Sequence, residues 1–364
     1  MIRKTRINLL TVSVVLLCVG IIMIYSSSSI YAWEKYGDSF YFLKRHLLFL
    51  SAGLLFTFLA MVVDYRLMRK HARLLLWVAI GLLVLVLIPG IGKEVSGARR
   101  WFRFRFISFQ PSEFANLAVI IYISDFICRK GDQIKTLLKG FIPPICVLGG
   151  VSLLILLQPD LGTTIALGSV VLIMLYIAGV RPVYIMNLLL CSLPMVYILV
   201  FSVPYRRARI LAFLNPWLDP KGSGFQIIQS QIAIGSGGLF GVGLGHSQQK
   251  LFYLPAAHTD FIFSIIGEEL GLVGTLGVIL LFMIFIRQAL KIIKNAQDRF
   301  GYFLGQGLVL MISLKAIVNI GVSCGVFPTK GLPLPFISYG GSSLIFDMVS
   351  LGILINIARS GEYP

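Results

Sequence analysis

The chain has 364 residues, 57% of them hydrophobic and only 13% charged, with a mean hydropathy of +0.89 and a formal net charge of +17. That balance excludes an ordinary soluble domain. Repeated apolar runs of about 18 or more residues indicate an all-α polytopic membrane protein.

The first apolar run follows Arg3, Lys4 and Arg6. It is too long for a signal h-region and lacks a small-residue cleavage site, so it reads as a retained first span. About ten spans are predicted in all, near 8–31, 46–63, 72–89, 112–129, 140–158, 161–179, 183–203, 260–287, 301–326 and 342–358. Pro143, Pro144 and Pro194 fall inside spans and should kink them or mark their ends. Cys18, Cys128, Cys146, Cys191 and Cys324 lie in or beside apolar segments without metal-like spacing and read as small core residues.

Place the N-terminal tail in the cytoplasm. Alternate connections then read DYRLMRKHAR, RKGDQIKTLLK and RQALKIIKNAQDR, all short and basic, as the positive-inside rule requires. Both termini are then cytoplasmic. The 204–259 segment becomes a large outer loop between spans 7 and 8, within one 1–364 domain.

Two outer loops depart from that charge rule. GKEVSGARRWFRFRF carries Lys93, Arg99, Arg100, Arg103 and Arg105, and the 204–259 loop carries Arg206, Arg207, Arg209, Lys221 and Lys250. Ordinary surface charge is one reading. An anionic partner at the outer face, such as a phosphate-bearing lipid head group, is the other. Arg interleaved with Trp and Phe also suits nucleic acid, but an outer membrane loop does not meet it, so none is expected. The 204–259 loop contains Phe225, Ile227, Ile228, Leu239, Phe240 and Phe252, so it should fold back and form one wall of a cavity. Its run GSGGLFGVGLG has no Walker lysine and suggests tight turns and close backbone approach.

Four polar groups fall at outer span ends in this topology. They are Gln110, Ser112 and Glu113 in FQPSEF, Gln158 and Asp160 in LQPDLGT, His258, Thr259 and Asp260 in HTDF, and Ser338, Tyr339, Ser342 and Ser343 in SYGGSS. Helix capping is the plain alternative for Asp160, for Ser112, and for Thr259 or Asp260. Glu268 and Glu269 lie deeper and read as structural, with Lys315 a candidate partner. His258 could be a base, but a lone His at a loop end is more often a hydrogen-bonding residue. No His, Cys and carboxylate set has zinc spacing, and the serines lack a nucleophile elbow.

A lone carboxylate near an outer surface, ringed by basic loops, suits one chemistry. A base takes a proton from a sugar hydroxyl, and that oxygen attacks an anomeric carbon whose leaving group is a lipid pyrophosphate. The leaving group is already good, so no paired acid is required. Arg side chains or a divalent cation, Mg or Mn, would neutralise the departing phosphate. Two other readings compete: a flippase moving lipid-linked sugars through an ion relay, and a non-enzymatic scaffold for a transpeptidase.

The stretches RRW at 99–101, FQPSE, QPDLGT, NPWLDPKGSGFQIIQSQIAIGSGGLFGVGLGHSQQKLFYLP, HTDFIFSIIGEELG and LPFISYGGSS resemble the SEDS family (shape, elongation, division and sporulation) along nearly the whole chain. LNPW, GLGHSQQK and FYLP are more similar to its FtsW/SpoVE branch than to RodA. The resemblance implies a peptidoglycan glycosyltransferase that polymerises lipid II into β-1,4-linked glycan carried on undecaprenyl pyrophosphate. It implies Asp260 as catalytic residue, with Asp160 and Glu113 lining a central cavity. It also implies a class B penicillin-binding protein as partner, other divisome membrane proteins, and a bacterial cytoplasmic membrane location. With it, the expected substrate-binding set is Arg99, Arg100, Trp101, Gln110, Glu113, Gln158, Asp160, Arg209, Gln229, Lys250, His258, Thr259, Ser338, Ser342 and Ser343. Two departures stand out. The family usually has a lysine three residues after the QPSE glutamate, where this chain has Asn116, and a glutamate after YLP, where it has Ala256. Glu113 must then find another partner or sit partly protonated, and the two losses are expected to be linked.

Overall fold

Apolar runs that must satisfy every backbone group without water fold as helices. The computed structural model, which describes residues 2–95, 98–104, 107–251 and 253–361, is accordingly helical almost throughout. In chain order come α1 (Ile2–Tyr36), α2 (Tyr41–Val62), a short α3 (Arg66–Lys70) and α4 (Ala72–Leu87). A small antiparallel sheet follows, β1 (Lys93–Val95), β2 (Ala98–Phe104) and β3 (Ile107–Phe109). Then come α5 (Pro111–Lys130), α6 (Ile142–Leu157), α7 (Leu161–Ile177), α8 (Pro182–Phe201), α9 (Pro204–Leu214), α10 (Phe225–Ser236), α11 (Ile262–Lys294), α12 (Arg299–Ser323) and α13 (Gly341–Ser360).

Among the described residues, eight helices are long and apolar enough to cross a membrane. The apolar helices α4 and α7 are shorter and complete the ten expected spans. The protein is a multi-pass membrane protein. The sheet was not anticipated: its Arg-rich strand β2 was read only as a basic loop. Arg105 and Phe252 lie outside the described residues, as does the side chain of Arg103. Pro143 sits at the start of α6, marking an end, and Pro194 lies inside α8.

The break in the bundle lies where no proline stands. Gly271 takes φ 66° and ψ −159° inside α11, a region essentially closed to side-chain-bearing residues. The exposed backbone groups at the break are met by the Gly-rich run. Leu272 N donates to Gly238 O (2.9 Å) and Val273 N to Leu239 O (3.2 Å). In return Val242 N donates to Glu268 O (3.0 Å) and Gly243 N to Glu269 O (3.1 Å). GSGGLFGVGLG is therefore a backbone splint for a broken helix.

The two glutamates beside the break tie down the segment after the splint. The Glu268 carboxylate accepts from the Ser247 hydroxyl and from Gln248 N (2.8 Å). Glu269 pairs with Lys250 (2.9 Å) and accepts from Ser26 on α1 (2.7 Å). Both carboxylates are buried. Their expected pairing with Lys315 does not occur, because Lys315 is held elsewhere.

Gly271→Ala should cost about 1–3 kcal/mol of stability, since its Cβ would also come 2.6 Å from Leu239 O. The apparent Tm in detergent measures this; an unchanged value would show that the break is not required.

Candidate active site

The starts of α5, α7 and α13, the turn before α11 and the α1–α2 turn converge at one end of the bundle. They enclose a cavity of about 410 Å³, within the ~300–1,000 Å³ typical of small-molecule sites. Asp260, Asp160, Glu113, Arg100, Trp101, Gln110, Thr259 and Ser343 line it, together with Gly331 from the α12–α13 loop.

Asp260 stands two residues before α11, not within it. It does not cap that helix: the cap residue is Phe261, and no side chain serves. The turn that carries it is fixed through its backbone. The carbonyl of Ala256, whose φ is +58°, accepts from Thr259 N (3.0 Å) and Asp260 N (3.1 Å). Asn319 Nδ2 donates both to Asp260 O (2.9 Å) and to Leu332 O (2.8 Å). Ser338 Oγ donates to Thr259 O (2.6 Å), and Tyr339 N donates to His258 O (3.0 Å). The α12–α13 loop thus clamps the HTDF turn from one side.

The carboxylate itself is left free. Among the described residues, none donates a hydrogen bond to it. Gly331 makes the close approach possible, because a Cβ there would lie 3.0 Å from Asp260 Oδ2. Loss of water raises its pKa from 3.8 to about 6, against the pull of Arg209 and with help from the charge of Asp160.

Asp160 caps α7, accepting from Thr163 N (3.1 Å) and Thr163 Oγ1 (2.9 Å), as the capping alternative had it. Arg100 locks the preceding turn by donating to Gln158 O (2.6 Å) and Pro159 O (2.5 Å), and its guanidinium lies 3.9 Å from Asp160. Arg209 on α9 donates to Thr329 O (3.1 Å). The next residue, Lys330, was not foreseen, although PTKG placed a cation in an outer loop. Burial lowers its amine to about 8, against the nearby Asp160.

Glu113 finds the partner that Asn116 denies it. Lys315 Nζ on α12 lies 2.8 Å from Glu113 and 3.0 Å from Asp347, and donates to Ser343 Oγ at 3.2 Å. All four side chains are buried. Ser112 does not cap α5; Gln110 occupies the cap position, and the buried Ser112 Oγ has no partner among the described residues. Ala256 sits in the backbone turn that carries Asp260.

Other expected contacts lie off the cavity wall. Lys250 is the largest correction: it is buried in the Glu269 pair. Arg99 pairs with Glu94 (3.1 Å), and the buried Gln158 side chain points to Leu83 O (3.4 Å). Ser338 holds the clamp, and Ser342 bridges Gln110 N (2.9 Å) to Ser108 O (3.1 Å). His258 packs its ring 4.5 Å from Phe42, and burial drives its imidazole down to about 4, so it is neutral. Gln229 is half-buried on α10.

The FtsW/RodA/SpoVE family pattern, described as a cell cycle protein, matches residues 7–363. The chain belongs to this family. It is 46% identical over 357 residues to a probable peptidoglycan glycosyltransferase FtsW of Geobacter metallireducens, covering 98% of this chain and 95% of that one. It is 44% identical over 363 residues to stage V sporulation protein E of Bacillus subtilis, covering 99% of each. Among solved structures it superposes on a chain described under "Structural coordination of polymerization and crosslinking by a peptidoglycan synthase complex". That match has a TM-score of 0.79, 29% identity and 98% coverage of both chains. Rod shape determining protein RodA of Thermus thermophilus matches with a TM-score of 0.71 at 26% identity, over 98% of this chain and 97% of that one.

Lys315→Met should destabilise the protein by about 3–5 kcal/mol, because it strands two buried carboxylates. Adding Asn116→Lys should restore part of the loss by returning a cation one helical turn from Glu113. Apparent Tm values of the single and double variants decide; no recovery would mean that 116 cannot reach Glu113.

Proposed function

We propose that the chain is a peptidoglycan glycosyltransferase of the FtsW/SpoVE type, polymerising lipid II at the outer face of the bacterial cytoplasmic membrane. The observation that carries this reading is a carboxylate, Asp260, with no hydrogen-bond donor among the described residues, in a cavity bordered by cations. The family's names and the identities above support the substrate class. The basic short connections on the opposite side support the orientation, with both termini cytoplasmic.

In this reading Asp260 accepts the proton of the acceptor sugar hydroxyl. The oxygen attacks the donor's anomeric carbon from the face opposite the pyrophosphate, inverting it to give a β-1,4 link. The glycan then remains on one undecaprenyl pyrophosphate while the other departs. A hydrogen-bonded carboxylate would be a weaker acceptor, so the lack of donors at Asp260 serves the role. Arg100, Arg209 and Lys330 supply positive charge for the leaving diphosphate. Among the described residues, no three His, Cys, Asp or Glu converge as a metal cage. If Mg²⁺ or Mn²⁺ arrives with the substrate phosphates, as Mg²⁺ commonly does, Asp160 would hold it, leaving Asp260 free as the base. It would add to neutralisation of the leaving group.

A transpeptidase of the class B penicillin-binding type, with other divisome membrane proteins, is the expected partner. The solved relative's description, which joins polymerization to crosslinking, supports this.

Asp260→Asn should lower lipid II polymerisation by about 10²–10⁴-fold, assayed with purified protein and its cognate transpeptidase. Normal polymer from the Asn variant would remove Asp260 from the chemistry. Lipid II moved across liposomes without polymer would favour a flippase. The pH response has a definite sign. Activity should rise through about pH 6 as the base deprotonates. Stability should fall over the same window, since the folded carboxyl binds its proton more tightly than the unfolded value of 3.8. An activity profile flat from pH 5 to 7 would contradict the assignment.

A further inference from the structure

A second group of residues lines the same cavity and has no part in the chemistry above. Tyr36 ends α1, Tyr41 and Phe42 open α2, and Tyr339 precedes α13. The Tyr36 and Tyr41 rings stack at 3.9 Å and 13°. Phe42 meets both edge-on, at 5.9 Å and 5.3 Å, and meets Tyr339 edge-on at 5.4 Å. The group is built, not incidental. The turn that joins α1 to α2 is pinned by Phe40 N donating to Asp38 Oδ1 (2.9 Å) and by the Asp38–Lys44 pair (2.8 Å). Arg45 Nη1 donates to the Tyr41 hydroxyl at 2.9 Å.

Aromatic residues gather at membrane surfaces for a plain reason: they like the lipid–water boundary. Trp33, at the same end of α1, is 64% exposed and suits that explanation. Phe42 does not, being 8% exposed with its neighbours on the cavity wall. The rest of the wall decides what the rings would meet. Beside them stand Arg45, Arg100, Glu113, Asp160 and Gln110. Flat ring faces among a few convergent charged and amide groups suit a ligand with both a C–H face and many hydroxyls. A hexopyranose is such a ligand: its weakly positive C–H face lies on the negative ring face, and its hydroxyls reach the polar groups. A polyprenyl chain has no use for the charged residues.

We propose that Tyr36 and Tyr41, backed by the buried Phe42, form a sugar-stacking platform that orients the acceptor pyranose beside Asp260. The proposal rests on the glycosyltransferase reading and adds the part of the site that holds the acceptor. The platform is mechanically joined to the base. His258 packs 4.5 Å from Phe42 and is two residues from Asp260. Tyr339 N binds His258 O at 3.0 Å. A ring resting on the platform is therefore held at a set distance from the carboxylate.

The test separates ring face from apolar bulk. Tyr41→Leu keeps an apolar side chain and removes the face; Tyr41→Phe keeps the face and removes the bond to Arg45. Tyr36→Leu, on the more exposed side of the stack, is the second variant should Tyr41→Leu not fold. Two readouts are taken in nanodiscs: binding of chitotetraose to the Asp260→Asn protein, and KM and kcat for lipid II polymerisation in the Asp260 protein. Both Leu variants should weaken chitotetraose binding and raise KM by about five- to tenfold, while Tyr41→Phe stays within about twofold. Leu variants indistinguishable from Tyr41→Phe overturn the platform, as does an Asp260→Asn protein with Tyr36 and Tyr41 intact that binds no chitotetraose. Ring-dependent binding without any polymer from wild type leaves the platform standing and removes the polymerase reading. Polymer with a KM indifferent to the Leu changes removes the platform alone.

Discussion

A carboxylate that must take a proton cannot be restrained through its own oxygens, because each hydrogen bond to the charged form weakens it as a base. The chain solves this at Asp260 by holding everything except the carboxylate. Asn319 and Ser338 take the carbonyls of Asp260 and Thr259, at 2.9 Å and 2.6 Å, and Ala256 gathers the turn's amides on one carbonyl. Gly331 lets the opposing loop come against the side chain without a Cβ in the way. Most of the surrounding architecture serves this one unshared group.

The other buried charges are treated in the opposite manner. Lys315 joins Glu113 and Asp347, Lys250 joins Glu269, and Glu268 takes two backbone amides. Each lies in a bundle where an unpaired charge would be severely penalised. The contrast gives Asp260 its meaning: a chain that pairs its deep carboxylates leaves this one, at the cavity, without a hydrogen-bond donor among the described residues. The Gly-rich splint belongs to the same design. It lets α11 break at Gly271 while Glu268 and Glu269 anchor the segment that follows the splint.

Much of this was legible before any coordinates. Hydropathy located the spans, because the length of an apolar run is dictated by membrane thickness. The four polar motifs at span ends pointed to one convergent end, and Asp160, Glu113 and Asp260 do meet there. What escaped was set by tertiary contact. Nothing in ISLKAIVNIG says that Lys315 turns toward Glu113 and not toward the glutamates of α11. Lys250 looked like a loop cation because its burial depends on Ser26 and Glu269, distant in the chain. The β-sheet did have a signal, since FRFRF at 102–106 alternates strictly as a strand does, but the density of Arg in that segment points equally to a basic loop. Gly271 gave no signal beyond being one glycine among many, since its break depends on a loop some thirty residues earlier.

The state of the Asp260 carboxyl is the quantity on which the account turns. It can be read directly as the protonated-carboxyl band in infrared difference spectra of the protein in nanodiscs, taken against Asp260→Asn across pH 3 to 9. The account predicts that a band lost in the Asn variant titrates with a midpoint near pH 6, set by a desolvated group without donors. A midpoint at or below about 4, the ordinary value for an aspartate in water, would contradict it, because that carboxylate would be solvated or hydrogen-bonded and no longer a reserved base.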